Sequence, residues 1–174
     1  MACGYSQIPG VDFTDNYSPV VNDVTFRLLL MAWMYFGLSA KIVDVETAFL
    51  YGELDEEIFM ECPPGMQGVS QDKILALLQC IYGLVQAARM YHKKFVMIFK
   101  KIGFTGGKVE PCLYSKKWEL GLCYVAIYVE DNLIVRHPAA IVDTIKCLRE
   151  EGLTLKVEDD LKDYLSCEII RSID

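Results

Sequence analysis

The sequence lacks three features, and each absence argues against a class of protein. No two of its seven cysteines are spaced as CxxC, which argues against zinc ribbons and dithiol redox motifs. Its longest apolar run covers thirteen residues, 28–40, whereas a membrane-spanning helix needs about 20. A basic excess is also absent, because the net charge is −7 and free-standing nucleic-acid binders are usually basic. We therefore expect no membrane span and no structural zinc.

The features that are present fit a folded domain. Of 174 residues, 53% are hydrophobic and 24% are charged, with only 12 glycines and 6 prolines. This composition predicts one domain, or one domain with an incomplete neighbour, rather than a disordered chain. Residues 1–5 have neither the basic segment nor the apolar run of a signal peptide. We expect an intracellular protein whose cysteines are free thiols, most of them buried.

Periodicity predicts helices and strands in mixed order. The first helix, 22–38, is apolar nearly all round, so we expect it to be buried. The fold expected is an α+β domain, in which helices pack on one face of an antiparallel sheet. We predict further helices at 83–102 and 138–152, a short helix or turn at 47–54, strands at 42–45, 57–62, 112–117, 122–128, 133–136 and 153–157, a strand or helix at 73–80, and a last strand or helix at 164–170.

Two groups of carboxylates stand in apolar surroundings. Asp44 lies inside a predicted strand of β-branched residues, and Glu130 and Asp131 lie at a turn between two apolar strands. Carboxylates beside a core are costly unless something compensates their charge. Two-metal phosphoryl transfer requires carboxylates that converge from separate strands, and Mg²⁺ prefers oxygen ligands. The alternative is a pair of solvated turn acids and one aspartate at a strand end.

Three segments together resemble the reverse transcriptases of copia-type retrotransposons. Residues 44–54 (DVETAFLYGEL) resemble the pattern DVKTAFLNGxL, residues 81–89 (IYGLVQAAR) resemble LYGLKQAPR, and residues 128–131 (YVED) resemble the YVDD box. Further segments at 4–7, 13–21, 58–65 and 164–169 also fit, in order and at the family's spacing. The resemblance covers nearly the whole chain.

The resemblance implies a polymerase palm with an antiparallel sheet backed by helices, plus partial fingers. It implies catalytic roles for Asp44, Glu130 and Asp131, which with Val45 would hold Mg²⁺, or alternatively Mn²⁺. The implied reaction is attack of a primer 3′-OH on the α-phosphate of a dNTP. The implied regions are a fingers lead-in with a helix at 1–40, palm at 41–56, fingers-like strands at 57–82, palm with the catalytic hairpin at 83–158, and the start of the thumb connection at 159–174.

The resemblance also implies substrate-binding residues. Backbone amides from Val45 onward would face the triphosphate, Phe49 would be the steric gate against a 2′-OH, and Tyr82 and Gly83 would line the templating pocket. The implied dNTP-binding set is Glu46, Thr47, Ala48, Phe49, Tyr82 and Gly83, and the implied nucleic-acid contacts are Tyr128, Val129 and Arg89.

Each of these roles has a structural alternative. Phe49 is equally a core aromatic, Gly83 a tight turn before a helix, and Arg89 part of a solvated helix face. His92 and His137 are isolated, so we assign neither of them to catalysis or metal binding.

The sequence departs from the family pattern at several positions. Glu130 is one methylene longer than the aspartate of the box, and a misplacement of about 1 Å can cost roughly 10²-fold in rate. Val85 replaces a lysine, Ala88 a proline, Tyr51 an asparagine and Ser166 a glycine. The basic stretch that the family carries upstream of residue 4 is not matched, so we expect a fragment or a degenerate copy.

Three functions remain as hypotheses. The first is an RNA-directed DNA polymerase module, whose partners would be an RNA or DNA template-primer, dNTP, and the RNase H and integrase of a longer Pol polyprotein. The second is an inactive retroelement remnant that serves as a binding or scaffold domain. The third, a small RNA-binding domain, is disfavoured by the acidic charge. The resemblance places the protein in the cytoplasm or a virus-like particle, without a membrane partner.

Overall fold

The computed structural model describes residues 1–70, 72–119, 121–158, 161, 163–164 and 167–170. Within these residues three α-helices separate runs of strands, and the main sheet is antiparallel, so the predicted α+β class is confirmed. The α-helices are α1 (Asp23–Tyr35), α2 (Ala87–Lys101) and α3 (Pro138–Glu150), and short 3₁₀ helices cover Gly4–Ser6 and Ala48–Tyr51. The strands are β1 (Ser39–Val45), β2 (Phe59–Glu61), β3 (Ile74–Ala76), β4 (Thr105–Gly106), β5 (Leu113–Trp118), β6 (Gly121–Tyr128), β7 (Asp131–Arg136), β8 (Leu155–Glu158), β9 (Asp163–Tyr164) and β10 (Cys167–Glu168).

The main sheet has six strands in the order β4-β5-β6-β7-β1-β8. Every neighbouring pair in it is antiparallel, as the sequence predicted. Strand β1 is inserted between β7 and β8, which come much later in the chain. The pairing of β1 with β7 is apolar and buried, because Val43 of β1 and Leu133 and Ile134 of β7 are all 0% exposed. Asp44 of β1 and Asp131 of β7 are thereby placed beside this buried strand pair, and each is itself partly buried.

The chain divides into two compact units. The first unit contains residues 1–18 and 47–96, and the second contains residues 19–46 and 97–174. The second unit holds the six-stranded sheet with α1 and α3. The first unit holds the hairpin of β2 and β3 and has its own apolar cluster, formed by Ile58, Cys80, Leu84, Ala87 and Met90.

Helix α1 is less buried than its sequence predicts. It begins where the Asn22 side chain accepts a hydrogen bond of 2.9 Å from the Val24 amide, which is a standard N-cap. It ends at Tyr35 instead of near residue 38. Val24, Leu28 and Met31 are 63%, 59% and 61% exposed, so the expectation of burial all round was wrong. Only one side of the helix, including Phe26 and Leu29, is packed.

The other elements follow the predicted order with shifted ends. Helix α2 begins four residues later than expected, and Gly103 follows it with φ of +89°, as its predicted role at the helix C-terminus requires. Gly152 ends α3 in the same way, with φ of +90°. Strand β3 is only three residues long, although the pattern predicted eight. The turn between β6 and β7 is also tighter than predicted, because Asp131 and Asn132 belong to β7.

In the part of the chain that the structure describes, the cysteines form no disulfide, in agreement with the expectation of thiols. Cys62, Cys80, Cys112 and Cys123 are buried, and Cys3 is exposed. Burial raises the pKa of the Cys80 and Cys123 thiols to about 11 and that of Cys112 to about 12, so these thiols are inert at neutral pH. Across the described ranges, no helix is long and apolar enough to cross a membrane.

Candidate active site

Four side chains form a row across the sheet. Tyr128 of β6 lies opposite Asp131 of β7, Asp131 lies opposite Asp44 of β1, and Asp44 lies opposite Lys156 of β8. Residues directly opposite each other on antiparallel strands project to the same face, with Cβ atoms about 4.5–5.5 Å apart. Asp44 and Asp131 are therefore neighbours, although 87 positions separate them in the sequence. We call these four residues the carboxylate row.

The opposite face of the sheet is covered by helix α3. Cys123 lies on β6 five positions before Tyr128, so alternation places it on the face away from the row. Its Sγ is 3.9 Å from Oγ1 of Thr144 in α3, and both residues are buried. The sheet thus presents the row on one face while the other face packs against a helix.

The pKa values of both aspartates of the row are raised. Burial raises the pKa of Asp44, and the nearby carboxylates of Glu46 and Glu158 raise it further, against the lowering effect of Lys156. Burial likewise raises the pKa of Asp131, followed by the charge of Asp44 and then that of Glu158. Like charges facing each other across a strand pair are destabilising. A cation bound between the two carboxylates would relieve this repulsion.

The turn that carries Glu130 is held by the backbone. Val129 and Glu130 link β6 to β7, and the carbonyl of Glu130 accepts hydrogen bonds from the Val45 amide at 3.0 Å and from Nδ2 of Asn132 at 2.8 Å. Val129 has φ of +52°, which is an outlier for a β-branched residue. Backbone strain of this kind is concentrated at functional sites.

The structure adds three residues that the sequence analysis missed. Asn132 is 1% exposed and donates also to the carbonyl of Val43 at 3.2 Å, and Tyr164 donates to the carbonyl of Asp131 at 3.1 Å. The sequence could have indicated Asn132 as a site residue, because it is a polar residue in an apolar strand. No sequence pattern indicates Lys156 or Tyr164, because only the pairing of strands that are distant in the sequence brings them to the row.

Glu130 does not complete a group of three carboxylates. Within the described ranges, no three His, Cys, Asp or Glu side chains converge in a way that could hold a metal ion. The structure therefore brings Asp44 and Asp131 together as a pair and does not group Glu130 with them. The metal-binding roles of Glu130 and of Val45 stay predictions.

Two of the backbone amides predicted to face a triphosphate have protein partners. The Val45 amide donates to the carbonyl of Glu130, and the Glu46 amide donates to the carbonyl of Thr154 at 3.0 Å. These two amides have partners within the second unit, and their expected role toward a triphosphate stays a prediction. The same prediction for Thr47 and Ala48 stays open, and Thr47 has the unusual φ of +54°.

The remaining predicted substrate residues lie in the first unit. The Phe49 ring is 4.7 Å from that of Tyr82 and 6.3 Å from that of Tyr91, and it packs on the apolar cluster of that unit. Gly83 has φ of +97°, and a side chain there would collide with the backbone of Ala2. These contacts give Phe49 and Gly83 packing roles, while their predicted roles toward dNTP stay predictions.

Arg89 is engaged by carboxylates of its own unit. Its Nε is 3.2 Å from Oδ2 of Asp15, and its Nη1 is 3.5 Å from Oδ2 of Asp55. Lys93 also reaches Asp55, at 3.2 Å. This geometry favours the structural alternative for Arg89 over the predicted contact with nucleic acid. Ser166, the departure near the end of the chain, lies outside the described residues.

Together, the fold and the row define an α+β domain that brings paired carboxylates from adjacent strands to one face of an antiparallel sheet. A family profile described as reverse transcriptase (RNA-dependent DNA polymerase) matches residues 1–174. The chain therefore belongs to this reverse transcriptase family, and the resemblance stated from its motifs is confirmed.

Individual relatives are Pol polyproteins of plant transposons. The chain is 31% identical over 170 residues to the retrovirus-related Pol polyprotein from transposon TNT 1-94 of Nicotiana tabacum, covering 97% of this chain and 13% of the relative. It is 28% identical to the corresponding polyprotein from transposon RE2 of Arabidopsis thaliana, covering 98% of this chain and 12% of the relative. The chain thus spans only a small part of these relatives. No solved structure matches it significantly.

Proposed function

We propose that this chain is the carboxylate-bearing palm of an RNA-directed DNA polymerase, which extends a primer 3′-OH with dNTPs on an RNA or DNA template. The observation that carries the proposal is the direct cross-strand pairing of Asp44 with Asp131. Membership of the reverse transcriptase family supports the same reaction class. We also propose the division into partial fingers, palm and thumb connection, with the boundaries given in the sequence analysis.

The residues of the row fit a divalent cation. Asp44 and Asp131 offer hard oxygen ligands from adjacent strands, and Mg²⁺ is often bound by one or two carboxylates together with substrate phosphates and water. Their raised pKa values indicate two charges that lack enough compensation in the protein. Mg²⁺ is the proposed ion, with Mn²⁺ as the alternative. When bound, such an ion lowers the pKa of an oxygen nucleophile and stabilises the charge of the reacting phosphate.

The protein's own groups position the reacting parts. Asp44 and Asp131 are held on paired strands of a buried sheet, which fixes the separation of their carboxylates. Lys156, opposite Asp44, is 63% exposed and ion-paired with Glu158 at 3.1 Å. Its ammonium would attract a phosphate group that approaches the row. Tyr128, at the other end of the row, offers a ring on which a primer base could rest.

Primer extension on poly(rA)/oligo(dT), in Mg²⁺ and in Mn²⁺, tests this function. The full chain is compared with Asp44→Asn, which keeps the shape of the side chain and removes its charge. We expect extension by the chain and none by Asp44→Asn, with both proteins folded by circular dichroism. Extension that survives in Asp44→Asn would overturn the assignment of the row.

A second candidate function is that of an inactive remnant that binds partners without catalysis. One observation favours it: Glu130, which is one methylene longer than aspartate, stands at the first carboxylate of the box. Glu130→Asp separates the two candidates. Extension by Glu130→Asp but not by the unchanged chain would mean an intact palm disabled at one residue.

The proposed partners follow from the relatives. Their names describe Pol polyproteins of transposons, so we propose that RNase H and integrase segments of a longer polyprotein work beside this chain. The proposed localisation is the cytoplasm or a virus-like particle. Co-expression of the chain with such segments, followed by co-purification, tests this association.

A further inference from the structure

The backbone of the hairpin formed by β6 and β7 accepts a hydrogen bond from a residue 33 positions further along the chain. The hydroxyl of Tyr164 in β9 donates to the main-chain carbonyl of Asp131 at 3.1 Å. Tyr164 itself is 3% exposed, and the bond is partly buried. Buried hydroxyls are costly when left without a partner, which favours one fixed position for this group.

The Tyr164 ring is itself held in place by helix α1. It stacks on the ring of Phe26, with centroids 4.7 Å apart and an interplanar angle of 25°. Phe26 is 5% exposed and lies on the packed side of α1. A stacked aromatic partner restricts the χ angles of Tyr164 and so limits the positions that its hydroxyl can take.

We propose that Tyr164 is a positioning residue for the metal-binding carboxylates, acting through the carbonyl of Asp131 and supported by Phe26. The inference rests on the proposed function, because it assumes that Asp44 and Asp131 hold a divalent cation. It assigns Tyr164 no contact with substrate or metal.

The mechanism is control of the hairpin backbone. The carbonyl of Glu130 is bonded by the Val45 amide and the Asn132 side chain, and the next carbonyl, that of Asp131, is bonded by Tyr164. Two successive peptide groups are thereby fixed, and with them the direction in which the Asp131 side chain leaves the strand. Without the hydroxyl, the Asp131 carboxylate would sample more positions relative to Asp44, and displacements of about 1 Å are costly at such sites.

The test measures cation binding by the full chain, with Mn²⁺ as the probe and electron paramagnetic resonance as the readout. Tyr164→Phe removes only the hydroxyl and keeps the ring against Phe26. Residues that hydrogen-bond the metal ligands typically contribute about 10- to 100-fold in metal affinity. A single bond to a carbonyl lies at the low end of this range, so we expect Mn²⁺ binding weakened by about 10-fold.

A matched control separates positioning from general packing. Tyr114 of β5 is another buried tyrosine of the second unit, 4% exposed, and its ring lies 5.4 Å from that of Phe99. Tyr114→Phe should leave Mn²⁺ affinity unchanged. Equal weakening by both variants would mean that loss of the hydroxyl from any buried tyrosine loosens the sheet, and this would overturn the proposal.

The Asp44→Asn variant distinguishes failure of the inference from failure of the proposed function. Unchanged Mn²⁺ affinity in Asp44→Asn would overturn the metal site itself. Loss of affinity in Asp44→Asn together with unchanged affinity in Tyr164→Phe would overturn the role of Tyr164 alone.

A second measurement does not depend on metal. Because the Val45 amide donates to Glu130, its hydrogen exchange reports on the hairpin, and we expect faster exchange at Val45 in Tyr164→Phe. If Tyr164→Phe does not fold, Phe26→Leu tests the same coupling by removing the stacked ring. Unchanged Val45 exchange in the variant that folds would count against the proposal.

Discussion

At the scale of single residues, the site is built from groups that oppose the stability of the fold. Asp44 and Asp131 carry like charges directly opposite each other, and burial raises the pKa of both. Val129, two residues before Asp131, has a positive φ that β-branched residues rarely adopt. Residues that destabilise an otherwise well-packed fold are expected at functional sites.

The strain at Val129 predicts a stabilising substitution. A non-glycine residue in this conformation costs on the order of 1–3 kcal/mol, and glycine relieves it at a smaller entropic cost, so Val129→Gly should raise the free energy of unfolding by about 1 kcal/mol. Urea unfolding measures the change. Val109→Gly is the control, because Val109 is 98% exposed and has no positive φ, and it should not stabilise. A loss of stability in Val129→Gly would contradict this account.

Asn132 predicts a substitution with the opposite effect. Its Nδ2 donates to two carbonyls, while its buried Oδ1 has no hydrogen-bond partner in the described part of the chain. In Asn132→Asp a carboxylate would face those carbonyls, so we expect a loss of at least about 2 kcal/mol at pH 8. The loss should shrink at pH 5, because a protonated aspartic acid can donate. Asn132→Leu removes the donor and the acceptor together, so its loss in free energy of unfolding at pH 8 should be smaller than that of Asn132→Asp. Urea unfolding of both variants at pH 5 and pH 8 measures these losses.

At the scale of elements, periodicity located the helices and strands but not their partners. The apolar residues of α1 predicted burial on all sides, yet Leu28 and Met31 are exposed. Periodicity reports where apolar residues lie around a helix, and not which of them a neighbour covers. The same limit explains strand β3, where the pattern extended past the three residues that pair with β2.

The two sides of α1 predict different responses to substitution. Leu28→Gln and Met31→Gln lie on the exposed side and should change the free energy of unfolding by no more than about 0.5 kcal/mol. Phe26→Ala, on the packed side, should cost roughly 3–5 kcal/mol because it leaves a cavity and removes the stack on Tyr164. Thermal unfolding of the three variants checks the contrast. A comparable loss in all three would mean that the outer side is also packed.

The sequence predicted only those residues of the candidate site that stand in recognisable local patterns. Asp44 and Asp131 were singled out as carboxylates in apolar surroundings, and the family pattern then gave them a metal-binding role. That Asp131 and not Glu130 faces Asp44 depends on the register of β7 against β1, and a shift of one residue would exchange the faces. Lys156 and Tyr164 reach the row from strands far away in the sequence, so no local pattern could have identified them.

At the scale of the whole molecule, the row changes how stability depends on pH. A carboxyl whose pKa is higher in the folded state than in the unfolded state stabilises the fold while it is protonated, and this contribution is lost as pH rises through the folded pKa. Asp44 and Asp131 both have raised pKa values. In the absence of cation they therefore lower stability as pH rises above about 4, the ordinary range of aspartate.

A divalent cation should reverse this trend, because it binds the ionised pair. At 100 times its dissociation constant a ligand adds about 2.7 kcal/mol, and a chain of this size gains about 2–4 °C in Tm per kcal/mol. We expect the increase in Tm caused by Mg²⁺ or Mn²⁺ to be near zero at pH 4 and to reach several degrees by pH 7.5. Calorimetry across this range, with and without cation, measures it. Asp44→Asn should abolish the increase, whereas Asp143→Asn, an acidic position on helix α3, should retain it. An increase that is independent of pH, or that persists in Asp44→Asn, would place the cation elsewhere on this acidic chain and leave the carboxylate row without a ligand.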